Sequence, residues 1–582
     1  MRIVKHRLKV VAFLVFIFLV VLVGRLMQIQ IIDTESFSKH QVNLIEGSVN
    51  QRTQAVVIDN GRGQFVDRNL EPLTVEYKPA LILFPFLKHM KWPIQNVASI
   101  INTSSHAIEE TLKHTTEPVV FTNNLTEAQM AAINDMKIPG VFAIYKQQEL
   151  QHPIASHLIG LVRYNEDLFR ERYPDKQEQA TMPIGITGLQ AAFDEFLFPE
   201  GESKLLYHVD AKSGPLFGIN VKYHEPANPF YPVTIKTTID KSLQNEAEKI
   251  IEHNDITNGG LVLLDIETNE LLALVSAPVM NPADPFKNGA AQNRMLLPQF
   301  PGSVFKTVIA AGAIESNLVK FGETFDCSLN LYGQHDTQHN LGLLSFSDSF
   351  AQSCNYTFAT LGKRLQQNNK NNIEKFADML GLIQKNGWIG DLYHFEMFEQ
   401  LPDERNGSIW GDSRDKSVDK AIAQTAIGQK EVRVSPLAIA NMMATIARGG
   451  SKQQIRIVDE ILYKNGSTMH RFNKQKLQGD KISPYTAMQL QKLLHHVVEA
   501  EQGTGRAFQS LSFDVAGKSG TAETGKYTAD GVPLVNKWFA GYFPFENPKY
   551  ALVVVELEKR DGTSNTNKVY YEFAKHVYER SE

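Results

Sequence analysis

The sequence is poor in cysteine and has no large excess of charge of either sign. Cys327 and Cys354 are its only cysteines among 582 residues, too few for a disulfide framework even in an exported protein. One bridge would be compatible with the sequence, but we expect two unpaired thiols. The formal net charge is -5, and without an overall basic excess we expect no nucleic-acid partner.

Internal repeats and low-complexity segments are also absent from the sequence. Hydrophobic residues make up 43% and charged residues 21% of the chain, a composition that argues against intrinsic disorder. A chain of this length exceeds what one hydrophobic core usually supports. We therefore expect two or more globular domains.

Long hydrophobic runs are confined to the N-terminus. The sequence from Val10 to Val23 is unbroken and apolar, and the hydrophobic stretch from Leu8 to Met27 approaches the roughly 20 residues that cross a bilayer. Basic residues precede this stretch and acidic residues follow it, so the positive-inside rule places the N-terminus in the cytoplasm. Since no small-x-small cleavage site follows, an uncleaved anchor over residues 1–30 is favoured over a cleaved signal peptide.

The chain after the anchor divides near residue 230. Residues 31–230 mix short β-branched runs with polar turns and hold no cluster of candidate catalytic groups, so we interpret them as a non-catalytic α+β domain. A Pro-rich segment, a strand-like run and an amphipathic helix then follow. This change of pattern predicts a domain boundary.

Residues 231–582 begin and end with strand signals. The apolar runs 261–264 and 271–275 flank a turn and predict a hairpin, and a second hairpin turns at residues 546–548. The last residues of the chain predict a helix. Strands from both ends of one domain, with helices between them, predict a central antiparallel sheet flanked by helices.

The segment PGSVFKTVIAAGAIE, residues 301–315, places Ser303 three residues before Lys306 in an otherwise apolar stretch. If a helix begins at Ser303, the two side chains lie on the same side of it. A serine hydroxyl needs a neighbouring base to become a good nucleophile, and a lysine can be that base if burial or a second cation lowers its pKa. The same spacing also occurs at Ser36 with Lys39, Ser413 with Lys416, and Ser417 with Lys420.

Two further motifs offer the groups that such a pair needs. QSCNY supplies Ser353 as a proton shuttle and Asn355 as an amide donor and acceptor. GKSGTAE supplies Lys518 as the second cation before a predicted edge strand, and Gly520 lets a ligand approach the backbone closely. Neither motif is diagnostic alone, so the signal lies in their order, separation and surroundings.

Taken together, these motifs resemble the active-site serine penicillin-recognising family, and within it the class B penicillin-binding proteins, which are monofunctional D,D-transpeptidases of peptidoglycan synthesis. The resemblance covers nearly the whole chain. It implies an α+β fold with an N-terminal membrane helix, an elongated α+β pedestal domain over residues 31–230, and a transpeptidase domain over residues 231–582. The N-terminal half lacks the glutamate-containing motifs of a fused glycosyltransferase domain.

The resemblance also implies roles for individual residues. Ser303 would be the acylated nucleophile and Lys306 its base, while Ser353 and Asn355 would relay protons and hold the substrate amide. The third motif would hold the terminal carboxylate of the stem peptide, and the backbone amides of Ser303 and its last residue would form the oxyanion hole. The residues of that motif are Lys518, Ser519, Gly520 and Thr521. No metal and no cofactor is implied.

The ligands and partners implied are peptidoglycan stem peptides, β-lactam antibiotics, the bacterial membrane and proteins of a wall-synthesis complex. The implied location is the bacterial cell membrane, crossed once, with the catalytic domain outside the cell. Two departures from the family pattern bear on substrate preference. Gln299 and Phe300 stand where many members have Tyr-Glu, and Glu523 stands where glutamine is frequent.

Several alternatives stay open from the sequence. A D,D-carboxypeptidase differs only in using water as the acyl acceptor, and a catalytically idle wall-synthesis scaffold would not need intact motifs. A serine β-lactamase or β-lactam sensor shares the three motifs, but the large preceding domain and Asn355 favour a penicillin-binding protein. A phosphate-binding loop at residues 517–519 would need a glycine where Ser512 stands and a helix afterwards.

Overall fold

The computed structural model describes residues 2–39, 42–121, 125–150, 153–179, 182–209, 222–281, 283–337 and 340–581. The chain forms two compact units, and neither is one continuous segment. The first unit comprises Met1–Arg62, Glu76–Glu149 and Pro199–Pro229, and the second comprises Gly63–Val75, Leu150–Phe198 and Phe230–Glu582. The division of the chain at residues 30 and 230 stays a prediction.

The α-helices of the described residues are numbered in chain order. They are α1 (Arg2–Met27), α2 (Leu44–Arg52), α3 (Ile94–Ile100), α4 (Ser105–Lys113), α5 (Glu127–Asp135), α6 (Ser156–Ile159), α7 (Glu166–Arg172), α8 (Gly188–Ala192), α9 (Asp194–Leu197), α10 (Lys241–His253), α11 (Lys306–Glu315), α12 (Phe346–Ala351), α13 (Asn355–Asn368), α14 (Asn372–Met379), α15 (Asp419–Ala426), α16 (Pro436–Ala447), α17 (Pro484–Glu499) and α18 (Thr566–Ser581).

The strands are numbered in the same way. They are β1 (Thr53–Asp59), β2 (Gln64–Val66), β3 (Val75–Leu83), β4 (Val119–Phe121), β5 (Val141–Glu149), β6 (Val162–Arg163), β7 (Ile184–Gly185), β8 (Ser203–His208), β9 (Lys222–His224), β10 (Thr234–Thr237), β11 (Gly259–Asp265), β12 (Leu271–Ala277), β13 (Thr324–Asp326), β14 (Leu343–Ser345), β15 (Ile389–Leu392), β16 (Phe395–Glu399), β17 (Val458–Leu462), β18 (Thr468–Arg471), β19 (Ala516–Tyr527), β20 (Pro533–Phe543) and β21 (Tyr550–Arg560). Helices and sheets together confirm the expected α+β class.

Helix α1 contains the apolar run of the N-terminus. The span Ile3–Ile32 is the one helix in the described part of the chain that is long and apolar enough to cross a membrane. Its large apolar side chains are exposed, Phe13 by 62% for example. A helix that is apolar on all sides is stable only in an apolar surrounding, so α1 is consistent with a single-pass anchor.

Besides α1, the described part of the first unit contains two small sheets and short helices. β1 pairs with β8 and β8 with β9, while β3 lies between β4 and β5. Helix α5 begins with a capping box in which Thr126 and Gln129 satisfy each other's backbone N–H groups, as the S/T-x-x-E/Q pattern favours. The core of this unit is rich in aromatic rings, with Phe86 stacked on Tyr207 at 4.4 Å between ring centroids.

The second unit is built on a five-stranded antiparallel sheet with strand order β12-β11-β21-β20-β19. It confirms the central antiparallel sheet and both hairpins. Along β21, Leu552 and Val554 pack into one core, whereas Ala551, Val553 and Val555 pack into the other. This two-residue alternation with apolar side chains on both faces is expected for a strand covered by helices on each side.

Helices of the second unit cover both faces of this sheet. α10 contacts β12, and α18 contacts β20 and β21, while α16 contacts β11, β20 and β21 from the other core. Helix α11 has almost every side chain buried. It therefore presents its first residue, Lys306, in an apolar surrounding.

Cys327 and Cys354 form a disulfide bond, so the expectation of two unpaired thiols is wrong. Cys327 follows β13 and Cys354 precedes α13, and these two elements pack together. Both side chains are buried, and the hydroxyl of Thr357 donates to the Cys354 sulfur at 3.2 Å. The pairing depends on tertiary packing between residues 27 positions apart, which a count of cysteines does not reveal.

Candidate active site

Ser303 lies in a single 3-10 turn, Gly302–Phe305, that leads into α11. The geometry expected from the sequence rests on a helix that begins at Ser303; in the structure the 3-10 turn contains Ser303, and the α-helix begins at Lys306. Gly302 has a φ of +55°, and a Cβ added there would lie 2.2 Å from the carbonyl oxygen of Thr521. Only glycine tolerates both conditions, so the serine is carried on a tight turn rather than on a regular helix.

The turn is held between strand β19 and a second turn. A Cβ added at Gly520 would lie 2.7 Å from the carbonyl oxygen of Pro301, and the Gly302 N–H donates to the Gly428 carbonyl at 3.1 Å. The indole N–H of Trp538 donates to the Phe300 carbonyl at 2.9 Å. These contacts fix the backbone of the serine turn against residues 520–521.

Lys306 is fully buried, with 0% of its surface exposed. Its Nζ lies 2.7 Å from the Ser353 carbonyl oxygen, 2.7 Å from Asn355 Oδ1 and 3.0 Å from Ser353 Oγ. The pKa of Lys306 lies well below its ordinary value, mainly because the side chain is buried and to a smaller extent because of the nearby positive charge of Lys518. This agrees with the expected effect of an apolar surrounding and a second cation.

Ser303 and Lys306 are three residues apart in the sequence, but their side chains are not hydrogen-bonded to each other in the structure. Within the described residues, no hydrogen bond joins the Ser303 hydroxyl to Lys306, whose nitrogen faces the second motif instead. Catalytic hydrogen bonds are often long in unliganded structures and tighten when substrate binds.

Ser353 and Asn355 stand at the junction between α12 and α13. Ser353 has a φ of +62°, a conformation that is costly for a residue with a side chain. Its N–H donates to the Phe350 carbonyl at 3.2 Å, and the next N–H, of Cys354, donates to Ser349 at 2.8 Å. The disulfide at Cys354 adds a covalent constraint to this strained turn.

Lys518 lies within β19 and is also fully buried, with 0% exposed. Its Nζ lies 3.1 Å from Ser353 Oγ and 3.2 Å from the Ser519 carbonyl oxygen. Burial lowers the pKa of Lys518 to about 7. The nitrogens of both buried lysines, Lys306 and Lys518, thus lie within hydrogen-bond distance of the same atom, Ser353 Oγ.

The third motif lies inside the edge strand rather than before it. Lys518 pairs with Ala540 of β20, and the strand continues to Tyr527. A phosphate-binding loop would need a helix after Lys518 and Ser519, so this alternative is wrong. Residues 518–521 instead form part of a sheet edge beside the Ser303 turn.

Two polar residues near the third motif belong to none of the motifs identified in the sequence. Thr504 accepts a hydrogen bond from the Ser519 hydroxyl at 2.8 Å, and Lys537 donates to the Thr521 hydroxyl at 3.4 Å. Lys537 also pairs with Asp561 at 3.0 Å. Thr504 lies in the segment GTGRAF and Lys537 in the segment NKWFAGYFP; the polar side chain in each segment is the signal by which the sequence could have indicated them.

The competing serine–lysine pairs lack such surroundings. Ser413 and Ser417 lie in a 3-10 turn without a buried residue, and Lys416 pairs there with Glu374. Ser36, near the end of the membrane helix, is exposed. Ser303 precedes Lys306, which lies beside both other motifs.

Comparison with known protein families agrees with this geometry. Residues 259–579, more than half of the chain, match the penicillin binding protein transpeptidase domain, and residues 57–250 match the penicillin-binding protein dimerisation domain. The first match contains all three motifs.

Curated relatives extend over most of the chain. Peptidoglycan D,D-transpeptidase MrdA of Haemophilus influenzae is 24% identical over 505 residues, covering 77% of this chain and 72% of the relative. MrdA of Acinetobacter baumannii is 24% identical over 627 residues, covering 97% and 86%. Penicillin-binding protein 3 of Bacillus subtilis is 25% identical and covers 70% and 59%.

A solved structure shares the fold along almost the whole chain. It belongs to work on the structural coordination of polymerization and crosslinking by a peptidoglycan synthase complex. The TM-score is 0.66 with 21% sequence identity, and the match covers 98% of this chain and 97% of that one.

Proposed function

Because the chain belongs to the penicillin-binding protein transpeptidase family, we propose that it is a peptidoglycan D,D-transpeptidase that forms its acyl-enzyme on Ser303. It takes a D-Ala-D-Ala stem peptide as acyl donor, passes the acyl group to an amine of a second stem peptide, and is inhibited covalently by β-lactams.

The observation that carries this proposal is the shared contact of Lys306 and Lys518 with Ser353 Oγ, at 3.0 and 3.1 Å. The Ser353 carbonyl and Asn355 Oδ1 can only accept hydrogen bonds. They take the two N–H bonds of a neutral Lys306, whose lone pair then faces the Ser353 hydroxyl. The hydroxyl donates to Lys306 and accepts from charged Lys518, so the arrangement supports a neutral base next to a cation.

Acylation follows from this proton distribution. Ser303 Oγ attacks the carbonyl carbon of the penultimate D-alanine, and its proton moves to Lys306, whose lone pair becomes free when the Ser353 hydroxyl turns its own proton toward the substrate. The C–N bond then breaks, and the leaving D-alanine amine receives a proton through Ser353. With a β-lactam the same proton goes to the ring nitrogen, which stays tethered to the acyl group.

The backbone at the serine turn supplies the developing oxyanion with donors. The N–H groups of Ser303 and Thr521 form the proposed oxyanion hole, supported by the close packing of Gly302 on the Thr521 carbonyl. Lys518 supplies the charge for the substrate carboxylate, and the hydroxyls of Ser519 and Thr521 supply hydrogen bonds. Gly520 allows the substrate backbone to approach the strand.

Membrane placement follows the same proposal. Residues 1–30 anchor the chain with the N-terminus in the cytoplasm, residues 31–230 form the pedestal domain, and residues 231–582 form the catalytic domain outside the cell. Proteins of a wall-synthesis complex are proposed partners. Protease added to intact protoplasts should degrade all but a short N-terminal fragment, whereas full protection would contradict the outside location.

Labelling with a fluorescent penicillin tests the enzymatic proposal. The purified full-length chain should become covalently labelled, and it should cross-link peptidoglycan strands when supplied with a polymerase and lipid-linked precursor. Labelling without cross-linking would favour a carboxypeptidase, and absence of both would favour a catalytically idle scaffold.

A further inference from the structure

Thr504 lies in a tight turn between α17 and the 3-10 segment Arg506–Ser510. A Cβ added at Gly503 would lie 2.2 Å from the Val497 carbonyl oxygen, and the Gly505 N–H donates to the same carbonyl at 3.0 Å. The Thr504 N–H donates to the Ala351 carbonyl at 3.2 Å. The backbone of Thr504 is therefore fixed without any contribution from its side chain.

The side chain of Thr504 connects the second and third motifs. Its hydroxyl accepts from Ser519 Oγ at 2.8 Å and donates to the Ala351 carbonyl at 3.3 Å. Ala351 ends α12, two residues before Ser353. Thr504 is exposed and Ser519 half-buried, so an incoming ligand can reach this pair of hydroxyls.

We propose that Thr504 is a positioning residue that sets the Ser519 hydroxyl to donate to the carboxylate of the substrate. This inference rests on the proposed function, in which Lys518, Ser519 and Thr521 hold that carboxylate.

The proton count of the two hydroxyls supports the inference. Without ligand, the one proton of Ser519 is directed at Thr504. A carboxylate accepts only, so Ser519 must turn its proton toward the ligand and then lacks a donor to its oxygen. Thr504 can supply that donor by redirecting its own proton from Ala351 to Ser519.

This exchange leaves no buried acceptor unpaired. The Thr504 hydroxyl gives up its longer contact, of 3.3 Å, and the contact of 2.8 Å with Ser519 is kept with donor and acceptor reversed. The Ala351 carbonyl still accepts the Thr504 N–H at 3.2 Å. A hydroxyl that receives a hydrogen bond also donates a stronger one, so Thr504 strengthens the bond from Ser519 to the carboxylate.

The test compares Thr504→Val, which removes the hydroxyl at constant shape, with Thr504→Ser, which keeps it. Thr111→Val, on the exposed surface of α4, is the matched control. The full-length chain in detergent is mixed with benzylpenicillin or with its methyl ester, which lacks the carboxylate. The second-order rate constant for acylation is followed by intact mass.

We expect Thr504→Val to slow acylation by benzylpenicillin about five- to tenfold, as for loss of a hydrogen bond that supports a charged contact. Acylation by the methyl ester should not change, and Thr504→Ser and Thr111→Val should react with both compounds like the unmodified chain. Equal slowing with both compounds would show a purely structural role and overturn the inference, as would an unchanged rate with benzylpenicillin.

A second comparison uses Ser519→Ala as the background. If Thr504 acts through Ser519, adding Thr504→Val to Ser519→Ala should have no further effect. An undiminished effect in that background would overturn the inference. Failure of the proposed function is a different result, because the unmodified chain would then form no adduct with either compound.

Discussion

Lys306 and Lys518 approach the same atom, the hydroxyl oxygen of Ser353, at 3.0 and 3.1 Å. Both lysines are fully buried, and within the described part of the chain no carboxylate pairs with either nitrogen. Two positive charges this close together repel each other, and burial disfavours the charged form of each lysine. The neutral form of Lys306 next to charged Lys518 is the state that the contacts support.

Acylation should depend on pH in a bell-shaped manner. It requires neutral Lys306, so its rate should fall on the acid side, where Lys306 takes up a proton. It also requires charged Lys518, whose pKa is about 7, so the rate with benzylpenicillin should fall as pH rises above that value. Stopped-flow measurement from about pH 5 to about pH 10 checks both limbs. A rate that rises steadily to the alkaline end would contradict the assignment of Lys518.

Replacing Lys518 should stabilise the fold and impair the chemistry. The pKa of Lys518 is about 7 in the folded chain against an ordinary 10.5, so the unfolded chain binds more protons between these values and stability rises with pH there. At about pH 6 the full burial cost is present, and Lys518→Met should raise the unfolding temperature by a few degrees.

The gain in stability from Lys518→Met should shrink toward about pH 10, where the lysine is neutral in the folded chain. The same variant should be acylated by benzylpenicillin at least about tenfold more slowly, because a charge-assisted contact is lost. Calorimetry at both pH values and labelling kinetics test this pair of effects. An unchanged acylation rate would remove Lys518 from the site.

Ser303→Ala should abolish covalent labelling by penicillin. The Ser303 hydroxyl makes no hydrogen bond within the described residues, so its loss should leave the unfolding temperature within a few degrees of the original. Ser413→Ala, which has the same spacing to a lysine but lies in an exposed turn, is the matched control and should label normally. Persistent labelling of Ser303→Ala would refute the assignment of the nucleophile.

The disulfide between Cys327 and Cys354 should support the strained turn at Ser353. Alkylation of the denatured chain should modify no thiol before reduction and two afterwards. Cys327→Ala breaks the bridge without altering the second motif, and for a loop of this size the loss should be about 3 kcal/mol. The measurable results are a lower unfolding temperature and slower acylation. Two reactive thiols without reduction would show that the bridge does not form.

The sequence predicts those parts of the fold that depend on local periodicity. Alternate residues of β21 face different cores, and the sequence predicts both neighbouring hairpins because apolar β-rich runs flank turn residues. The three motifs are recognisable from the sequence for a similar reason, since each is short and each contains reactive groups.

Features that depend on distant packing could not be predicted. Nothing local indicates that Cys327 meets Cys354, or that Ser519 meets Thr504. The 3-10 turn before α11 depends on the position of Gly302 against Thr521, a tertiary contact that the local sequence does not reveal. The assignment of Gly63–Val75 to the second unit likewise follows from parallel pairing of β2 with β10, which links residues far apart in the chain.

The most direct test of the account is the intact mass of the full-length chain after mixing with excess benzylpenicillin, followed by peptide mapping. Escape from the acyl-enzyme needs an activated water, and within the described residues no carboxylate forms a hydrogen bond or ion pair with Lys306, Ser353 or Lys518. We expect one adduct on Ser303 that lasts on the order of tens of minutes or longer, a deacylation barrier above roughly 21 kcal/mol. An adduct on Ser36, Ser413 or Ser417, or rapid hydrolysis with no adduct, would contradict the account.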